Sequence, residues 1–189
     1  MTPNKNKIYT YKDYLTFPNN ERIEIIEGEI FAMGSPFVIH QSLSMEISNA
    51  IYNYIKSNKG DYKIFTAPLD VILKDDNEDF EESSNVVIPD ISVICNKNKL
   101  TDAGCIGSPD MIIEIISPEN PSHDYVTKLK IYQKYKVKEY WIVSPIKKTI
   151  YVYIFNGKFY DEPNIYTFND KVKVNIYDDL EIDFSTFDL

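Results

Sequence analysis

The clearest candidates for chemistry in this sequence are acidic residues that interrupt apolar segments. The run DMIIEIIS, from Asp110 to Ser117, is almost continuously apolar and of strand length, and Glu114 lies in its middle. In a strand, Glu114 shares one face with Ile112 and Ile116, so its carboxylate points into an apolar layer. An unpaired carboxylate in such a layer is costly or becomes neutral. Glu114 is therefore expected either to have a partner of opposite charge or to be neutral.

The preceding apolar segment, VVIPDISVIC, repeats this feature at Asp90, which lies between Ile88 and Ser92 on one predicted face. If the two strands are neighbours, the carboxylates of Asp90 and Glu114 can converge on one point. A hard divalent cation with oxygen ligands, such as Mg²⁺ or Mn²⁺, is the simplest partner that makes both charges favourable. The backbone carbonyl of Ile115 could add a ligand. These residues predict a metal site formed by Asp90 and Glu114.

A third charge, Lys128, interrupts an apolar helical stripe. Counting about 100° per residue from Asp124 places Lys128 in one sector with Ile131 and Tyr135, the side that should face the sheet. Lys128 can extend towards solvent from this position or pair with the two carboxylates. A buried ion-pair cluster without chemistry would explain the same pattern, and so would strand faces assigned one residue out of phase.

A metal ion held by two carboxylates can activate a phosphodiester. It polarises a phosphoryl oxygen and lowers the pKa of a bound water, which then attacks phosphorus in line. Lys128 could hold that water or stabilise the charge that develops on phosphorus. No GxSxG elbow or phosphate-cradling glycine loop occurs in the sequence. The pattern therefore favours a metal-dependent phosphodiester hydrolase over a serine hydrolase, a kinase or a dinucleotide-binding enzyme.

Three further residues, His40, Glu29 and Asp124, are accessory candidates. His40 begins the first long predicted helix on its apolar side, so it could reach the site or simply cap and pack. Glu29 and Glu24 belong to a predicted hairpin, and alternating acids are typical of an exposed hairpin. Asp124 follows His123 at the start of the second long helix, where a helix-start role is the simpler interpretation.

Helices and strands alternate along the chain. A capping box at Thr10 predicts a short helix, Gly28 predicts a hairpin turn, and apolar spacing predicts a long helix from His40 to about Asn58. Three predicted strands follow, at Tyr62–Leu73, Val86–Cys95 and Asp110–Ser117. A second long helix is predicted from Ser122 to about Lys136. Further strands flank a strong turn signal at Asn156-Gly157.

This order of elements predicts an α/β (α+β) fold with a central mixed β-sheet flanked by helices and with additional β-hairpins. The 189 residues, 43% of them hydrophobic, can bury one sizeable core, so we expect residues 1–189 to form one domain. No apolar run approaches the about 18 residues of a membrane span, and the polar start MTPNKNK has no apolar signal region.

Charge and cysteine content constrain the partners and the compartment. The net charge of -9 opposes non-specific binding to nucleic acid, because such binding normally draws on Lys and Arg. The acids are concentrated in the run DDNEDFEE at 75–82 and lysines in the segment 128–138, so local charge can differ from the total. The only cysteines, Cys95 and Cys105, suggest neither a disulfide framework nor a zinc site. Reduced thiols favour a cytoplasmic protein.

The sequence resembles the Uma-two family, a bacterial group in the PD-(D/E)XK, or restriction-endonuclease-like, superfamily. The resembling segments are RIEIIEGEIFAM with His40 shortly after it, APLDVIL from Ala67, IPDISVIC from Ile88, and the long block from Ser108 to Pro145. The resemblance implies a restriction-endonuclease-like fold, a homodimer and an endonuclease activity on nucleic acid, with DNA favoured over RNA.

In the superfamily pattern the PD aspartate and the acid of (D/E)XK bind the metal, and those roles carry onto Asp90 and Glu114. The sequence departs from the pattern at Ile116, which stands where the motif has lysine. Either catalysis is lost or the lysine comes from elsewhere, and Lys128 on the following helix matches the second possibility. An inactive nuclease-fold binding or assembly module and a phosphodiesterase acting on small nucleotides are the alternatives.

Overall fold

The computed structural model describes residues 7–18, 21–58, 60–116 and 123–189. The α-helices within these ranges are α1 (Tyr11–Tyr14), α2 (Val38–Ser57) and α3 (Leu129–Lys134). A π-helical segment, His123–Lys128, leads directly into α3. No helix in the described part of the chain has the length and apolar character needed to cross a membrane.

The strands are, in chain order, β1 (Ile23–Ile26), β2 (Glu29–Ala32), β3 (Lys63–Thr66), β4 (Val71–Ile72), β5 (Val86–Val87), β6 (Ile91–Ile94), β7 (Leu100–Thr101), β8 (Gly104–Ile106), β9 (Met111–Ile115), β10 (Glu139–Ser144), β11 (Thr149–Ile154), β12 (Asn164–Thr167), β13 (Lys171–Lys173) and β14 (Glu181–Asp183). Short 3₁₀ turns occur at Phe80–Glu82, Lys97–Lys99 and Phe184–Thr186.

Two six-stranded sheets organise the fold. The central sheet has the order β12-β11-β10-β9-β6-β3, and the second sheet has the order β2-β1-β5-β4-β8-β7. Each is mixed, because β9 pairs parallel with β10 and β4 pairs parallel with β8, whereas their other pairs are antiparallel. Strands β13 and β14 form a separate ribbon. This arrangement confirms the predicted α+β class with a mixed sheet and additional hairpins.

Local sequence signals account for the first elements. The backbone N–H of Thr10 donates to Asp13 Oδ2 at 3.1 Å, which is half of the predicted capping box at the start of α1. The β1–β2 turn has positive φ at Glu27 (51°) and Gly28 (79°), as a tight hairpin requires. A Cβ on Gly28 would also meet the side chain of Ile8 at 2.5 Å. The predicted hairpin and its glycine turn are confirmed.

Helix α2 packs through the predicted apolar stripe. Leu43, Ile47, Ile51 and Ile55 are buried, and they belong to the core between α2 and the central sheet. The side chains of β9 divide as expected. Met111, Ile113 and Ile115 join that core, whereas Ile112 and Ile116 join the core on the α3 side. The face assigned to Glu114 is therefore confirmed.

Two predicted strands were too long. The segment Tyr62–Leu73 divides into β3 and β4, and the segment Val86–Cys95 divides into β5 and β6, with the two halves of each lying in different sheets. Pro68 and Pro89 lie at these breaks, and proline has no N–H with which to continue a ladder. Asp90 consequently occupies a bend before β6, and its expected place inside a continuous strand was wrong.

The second long helix also differs from the prediction. Its expected start at Ser122 lies outside the described residues, and its first turns from His123 are π-helical. The α-helical part, α3, ends at Lys134, and Lys136 follows with a φ of 58°. The hairpin of β7 and β8 was not predicted, because it occupies a connection with few apolar residues.

Candidate active site

A cleft of about 530 Å³ collects most of the predicted site residues. We define the cleft by the β1–β2 hairpin, the segment that leads into α2, the bend at Asp90 and the end of β9. Asp90, Glu114, Lys128 and His40 all line it. These residues come from a bend, a strand and two helical segments, so only the pairing of β6 with β9 and the packing of the helices bring them together.

Asp90 is held at the end of the β6–β9 ladder. The regular pairing stops at Ile91 opposite Ile113, and beyond it Asp90 Oδ2 accepts a hydrogen bond from the Ile115 backbone N–H at 2.7 Å. His40 Nε2 lies 3.0 Å from the same oxygen. Because the N–H and C=O of one strand residue point to the same edge, the Ile115 carbonyl lies on the Asp90 side of β9. The bend at Asp90 therefore places its carboxylate next to a strand carbonyl.

Glu114 is held from the helical side. Its Oε1 accepts hydrogen bonds from Lys128 Nζ at 2.9 Å and from the Tyr132 hydroxyl at 2.7 Å. Lys128 and Tyr132 are four residues apart, so one helical face presents both donors. Burial raises the pKa of Tyr132 well above its ordinary value, and the Glu114 and Glu24 carboxylates raise it further. The hydroxyl therefore remains a donor.

Glu24 belongs to this cluster, although the sequence pattern predicted an exposed hairpin position. Its side chain is only 3% exposed, Oε1 lies 3.0 Å from Lys128 Nζ, and the Ile88 backbone N–H donates to the same oxygen at 2.8 Å. Lys128 thus bridges two buried carboxylates. The alternation of acids across the hairpin suggested exposure, but Glu24 lies in the run Ile23–Ile26, which is as apolar as the segment around Glu114. That similarity was the signal available in the sequence.

His40 lies in the first turn of α2, with a side chain 13% exposed. Its Nδ1 is buried and has no hydrogen-bond partner among the described residues. Phe37, the residue at the N-cap of α2, makes no side-chain capping hydrogen bond. The N-terminus of α2, where Pro36 and His40 line the cleft, therefore has no side-chain cap.

The other accessory candidates are placed differently. Glu29 is exposed at the turn end of β2 and is not among the residues that line the cleft. The side chain of Asp124 lies outside the described side chains. Ile116, at the position of the motif lysine, is buried in the apolar core that also contains Ile131 and Tyr132. Lys128, from the helical segment, forms an ion pair with Glu114.

A second PD dipeptide ends at Asp110 and mirrors the first. Asp110 precedes β9, and its Oδ2 accepts a hydrogen bond from the Cys95 N–H, at the end of β6, at 2.7 Å. Its Oδ1 lies 2.7 Å from Lys138 Nζ, and this bond raises the pKa of Lys138. Asp90 and Asp110 therefore cap opposite ends of one strand pair, and of the two only Asp90 lines the cleft.

The donor set in the cleft suits a hard cation. Carboxylate oxygens of Asp90 and Glu114 and the carbonyl of Ile115 are the kind of ligand that Mg²⁺ takes, and Mg²⁺ usually combines one or two carboxylates with several waters. Among the described residues, no group of three or more His, Cys, Asp or Glu is arranged to hold a metal ion. An ion held by two carboxylates and one carbonyl would keep several waters.

A solved structure is similar to this chain in fold, and a second protein is similar to it in sequence. A crystal structure from Anabaena variabilis, described as "a putative nuclease belonging to DUF820", superposes with a TM-score of 0.72 and 21% identity, covering 94% of this chain and 98% of that chain. "Uncharacterized protein slr1290" of Synechocystis sp. is 25% identical over 145 residues, which span 75% of this chain and 72% of the relative. The model of the Uma2 family, described as "Putative restriction endonuclease", matches residues 10–185. This match covers nearly all of the sequence, and the chain belongs to the Uma2 family.

Proposed function

We propose that this protein is a divalent-metal-dependent nuclease that hydrolyses nucleic-acid phosphodiesters, with Mg²⁺ or Mn²⁺ as the cofactor and DNA favoured over RNA. The observation that carries the proposal is the convergence of Asp90, Glu114 and Lys128 on one cleft. The description of the Uma2 family agrees with this chemistry.

The carboxylates of Asp90 and Glu114 and the carbonyl of Ile115 would hold the ion. When bound, such an ion polarises a phosphoryl oxygen and lowers the pKa of a coordinated water. The hydrogen bond from the Ile115 N–H to Asp90 Oδ2 fixes the orientation of that carboxylate. Both hydrogen bonds that the described residues make with the Asp90 carboxylate end on Oδ2, so Oδ1 would be the oxygen that binds the ion.

Lys128 would position the attacking water or stabilise the charge that develops on phosphorus. Its ammonium group is held between Glu24 and Glu114, so it lies beside one of the proposed metal ligands. In this role it replaces the lysine that the superfamily motif places at position 116.

Cleavage assays with the two PD aspartates as a matched pair test the proposal. We expect the purified protein to cut single-stranded or double-stranded DNA with Mg²⁺ or Mn²⁺ and to stop in EDTA. Asp90→Asn and Glu114→Gln should each lower the rate by more than about 100-fold. Asp110→Asn makes the same substitution in the aspartate at the other end of the strands, which does not line the cleft, and should retain activity. Cleavage that survives in both cleft variants would place the reaction elsewhere and refute the proposal.

A non-catalytic binding or assembly module is the second candidate. It is favoured by Ile116, which stands where the superfamily motif has lysine, and by the net charge of -9. Calorimetry with Mn²⁺ separates the two, because the nuclease requires metal binding that Asp90→Asn weakens. Absence of both metal binding and cleavage would support the module. If only short substrates are cut, product analysis would identify a small-nucleotide phosphodiesterase.

A further inference from the structure

Arg22 differs from every other basic residue in the chain. The sequence has 20 Lys and Arg residues together, and Arg22 is the one arginine among them. A guanidinium group is a planar fork that can donate two parallel hydrogen bonds to a phosphate, whereas an ammonium group is a point charge. Arg22 therefore carries the one guanidinium group in the sequence, and every other basic side chain counted with it is a lysine.

That position belongs to the cleft. Arg22 immediately precedes β1 and lies two residues before Glu24, so strand alternation directs both side chains to the same face. Arg22 lines the cleft together with Asp90 and Glu114. Its backbone is anchored, because the Arg22 carbonyl accepts a hydrogen bond from the Met33 N–H at 2.9 Å. The residue itself is exposed, so an anchored backbone presents an exposed side chain.

Among the described residues, the acidic side chains that line the cleft form no ion pair with the Arg22 guanidinium group. The chain has 29 acidic residues, and Glu24 and Glu114 line the same cleft. Both of these carboxylates pair with Lys128. Within the residues that the structure describes, the side chain of Arg22 makes no ion pair or hydrogen bond. Its donors are therefore exposed to solvent beside a cleft that is lined by three carboxylates and Lys128, and an anionic ligand can accept their hydrogen bonds.

We propose that Arg22 binds a backbone phosphate of the substrate next to the phosphate that is cleaved. This inference rests on the proposed nuclease function, and it adds to Lys128 a second cationic contact between the cleft and the substrate. Arg22 acts by binding, through two hydrogen bonds to phosphate oxygens. Its loss should therefore raise KM and Kd for the polymer and leave kcat nearly unchanged.

Binding of labelled DNA to a cleavage-deficient protein tests this role. Fluorescence anisotropy with a labelled single-stranded and a labelled double-stranded oligonucleotide, in Mg²⁺, would compare Glu114→Gln with double variants that also carry Arg22→Ala, Arg22→Lys or Lys173→Ala. Lys173 is an exposed residue of β13 outside the cleft, so its replacement removes the same charge elsewhere. Thermal melting of each variant would show that it is folded.

We expect Arg22→Ala to weaken binding by about 10-fold and to lower the slope of log K against log salt by about 1. Arg22→Lys should keep the slope while still losing affinity, because it retains the charge and loses the fork. Lys173→Ala should leave affinity nearly unchanged. If the Glu114→Gln protein binds and Arg22→Ala behaves like Lys173→Ala, the role of Arg22 is refuted and the nuclease proposal stands. If the Glu114→Gln protein and the wild-type protein bind neither oligonucleotide, both proposals are overturned.

Discussion

Lys128 Nζ lies 2.9 Å from Glu114 Oε1, and both side chains are 5% exposed. An ammonium group on a helix thus contacts a carboxylate in the middle of a strand. The superfamily motif would instead place the lysine on that strand, two residues after the carboxylate. This relation makes one position, Lys128, responsible for both the charge balance of the buried cluster and the proposed chemistry.

Removal of Lys128 should destabilise the fold. Lys128→Met leaves Glu24 and Glu114 buried without their shared cation, and loss of one partner of a buried pair costs about 3 to 5 kcal/mol. Urea denaturation at neutral pH would measure the change. Lys130→Met, on the exposed side of the same helix, is the control and should change stability little. A loss from Lys128→Met of less than about 1 kcal/mol, the value of a solvated surface pair, would contradict the buried bridge.

Glu24 should influence catalysis through Lys128. Glu24→Gln keeps an oxygen for the Ile88 N–H but removes one charge that holds the ammonium group, so we expect kcat to fall by about 10-fold or more. Affinity for Mn²⁺, measured by calorimetry, should stay the same, because Glu24 positions Lys128 and does not bind the ion. Glu29→Gln, at the exposed end of the same hairpin, should change neither quantity. Equal loss of Mn²⁺ affinity in Glu24→Gln and Glu114→Gln would instead make Glu24 a ligand.

Divalent ions should stabilise the folded protein. A ligand that binds only the native state at 100 times its Kd adds about 2.7 kcal/mol, which a thermal melt detects as a higher Tm. We expect Mn²⁺ or Mg²⁺ to raise Tm reversibly, with EDTA restoring the original value. Asp90→Asn should abolish the shift and Asp110→Asn should retain it, because only Asp90 lines the cleft. The same shift in both variants would show that the ions bind elsewhere.

Glu139 should make stability depend on pH. The residue is fully buried in β10, and burial raises the pKa of its carboxyl above the ordinary 4.5, although Asn175, Trp141 and Ile176 donate hydrogen bonds to it. The folded state therefore holds the proton more tightly than the unfolded chain. The contribution of Glu139 to stability is fully present below about pH 4.5, and it is lost as pH rises through the raised pKa.

Urea melts across that pH window measure this contribution. Glu139→Gln should remove it, so the difference in unfolding free energy between wild type and variant should shift in favour of the variant as pH rises. Glu181→Gln, an exposed change in β14, should leave the pH profile unaltered. A constant difference between wild type and Glu139→Gln at every pH would contradict the raised pKa.

The local sequence pattern was sufficient to predict several features of the fold. The spacing of Leu43, Ile47, Ile51 and Ile55 predicted the buried face of α2, because a helical period is a property of neighbouring residues. Strand alternation placed Glu114 on one face with Ile112 and Ile116, and the Gly28 turn followed from the conformational freedom of glycine. The overall class of fold came from the order of these elements.

Contacts between residues that are distant in sequence could be identified only from the tertiary structure. Two PD dipeptides occur in the chain, and only the antiparallel pairing of β6 with β9 places Asp90 in the cleft and Asp110 at the opposite end. The burial of Glu24 depends on packing between the β1–β2 hairpin and the helix that carries Lys128. By itself, the sequence determined which residues were unusual, since an acid in an apolar run is a local observation. Only the folded chain decided which of them meet, because strand order and register are set by contacts across the whole molecule.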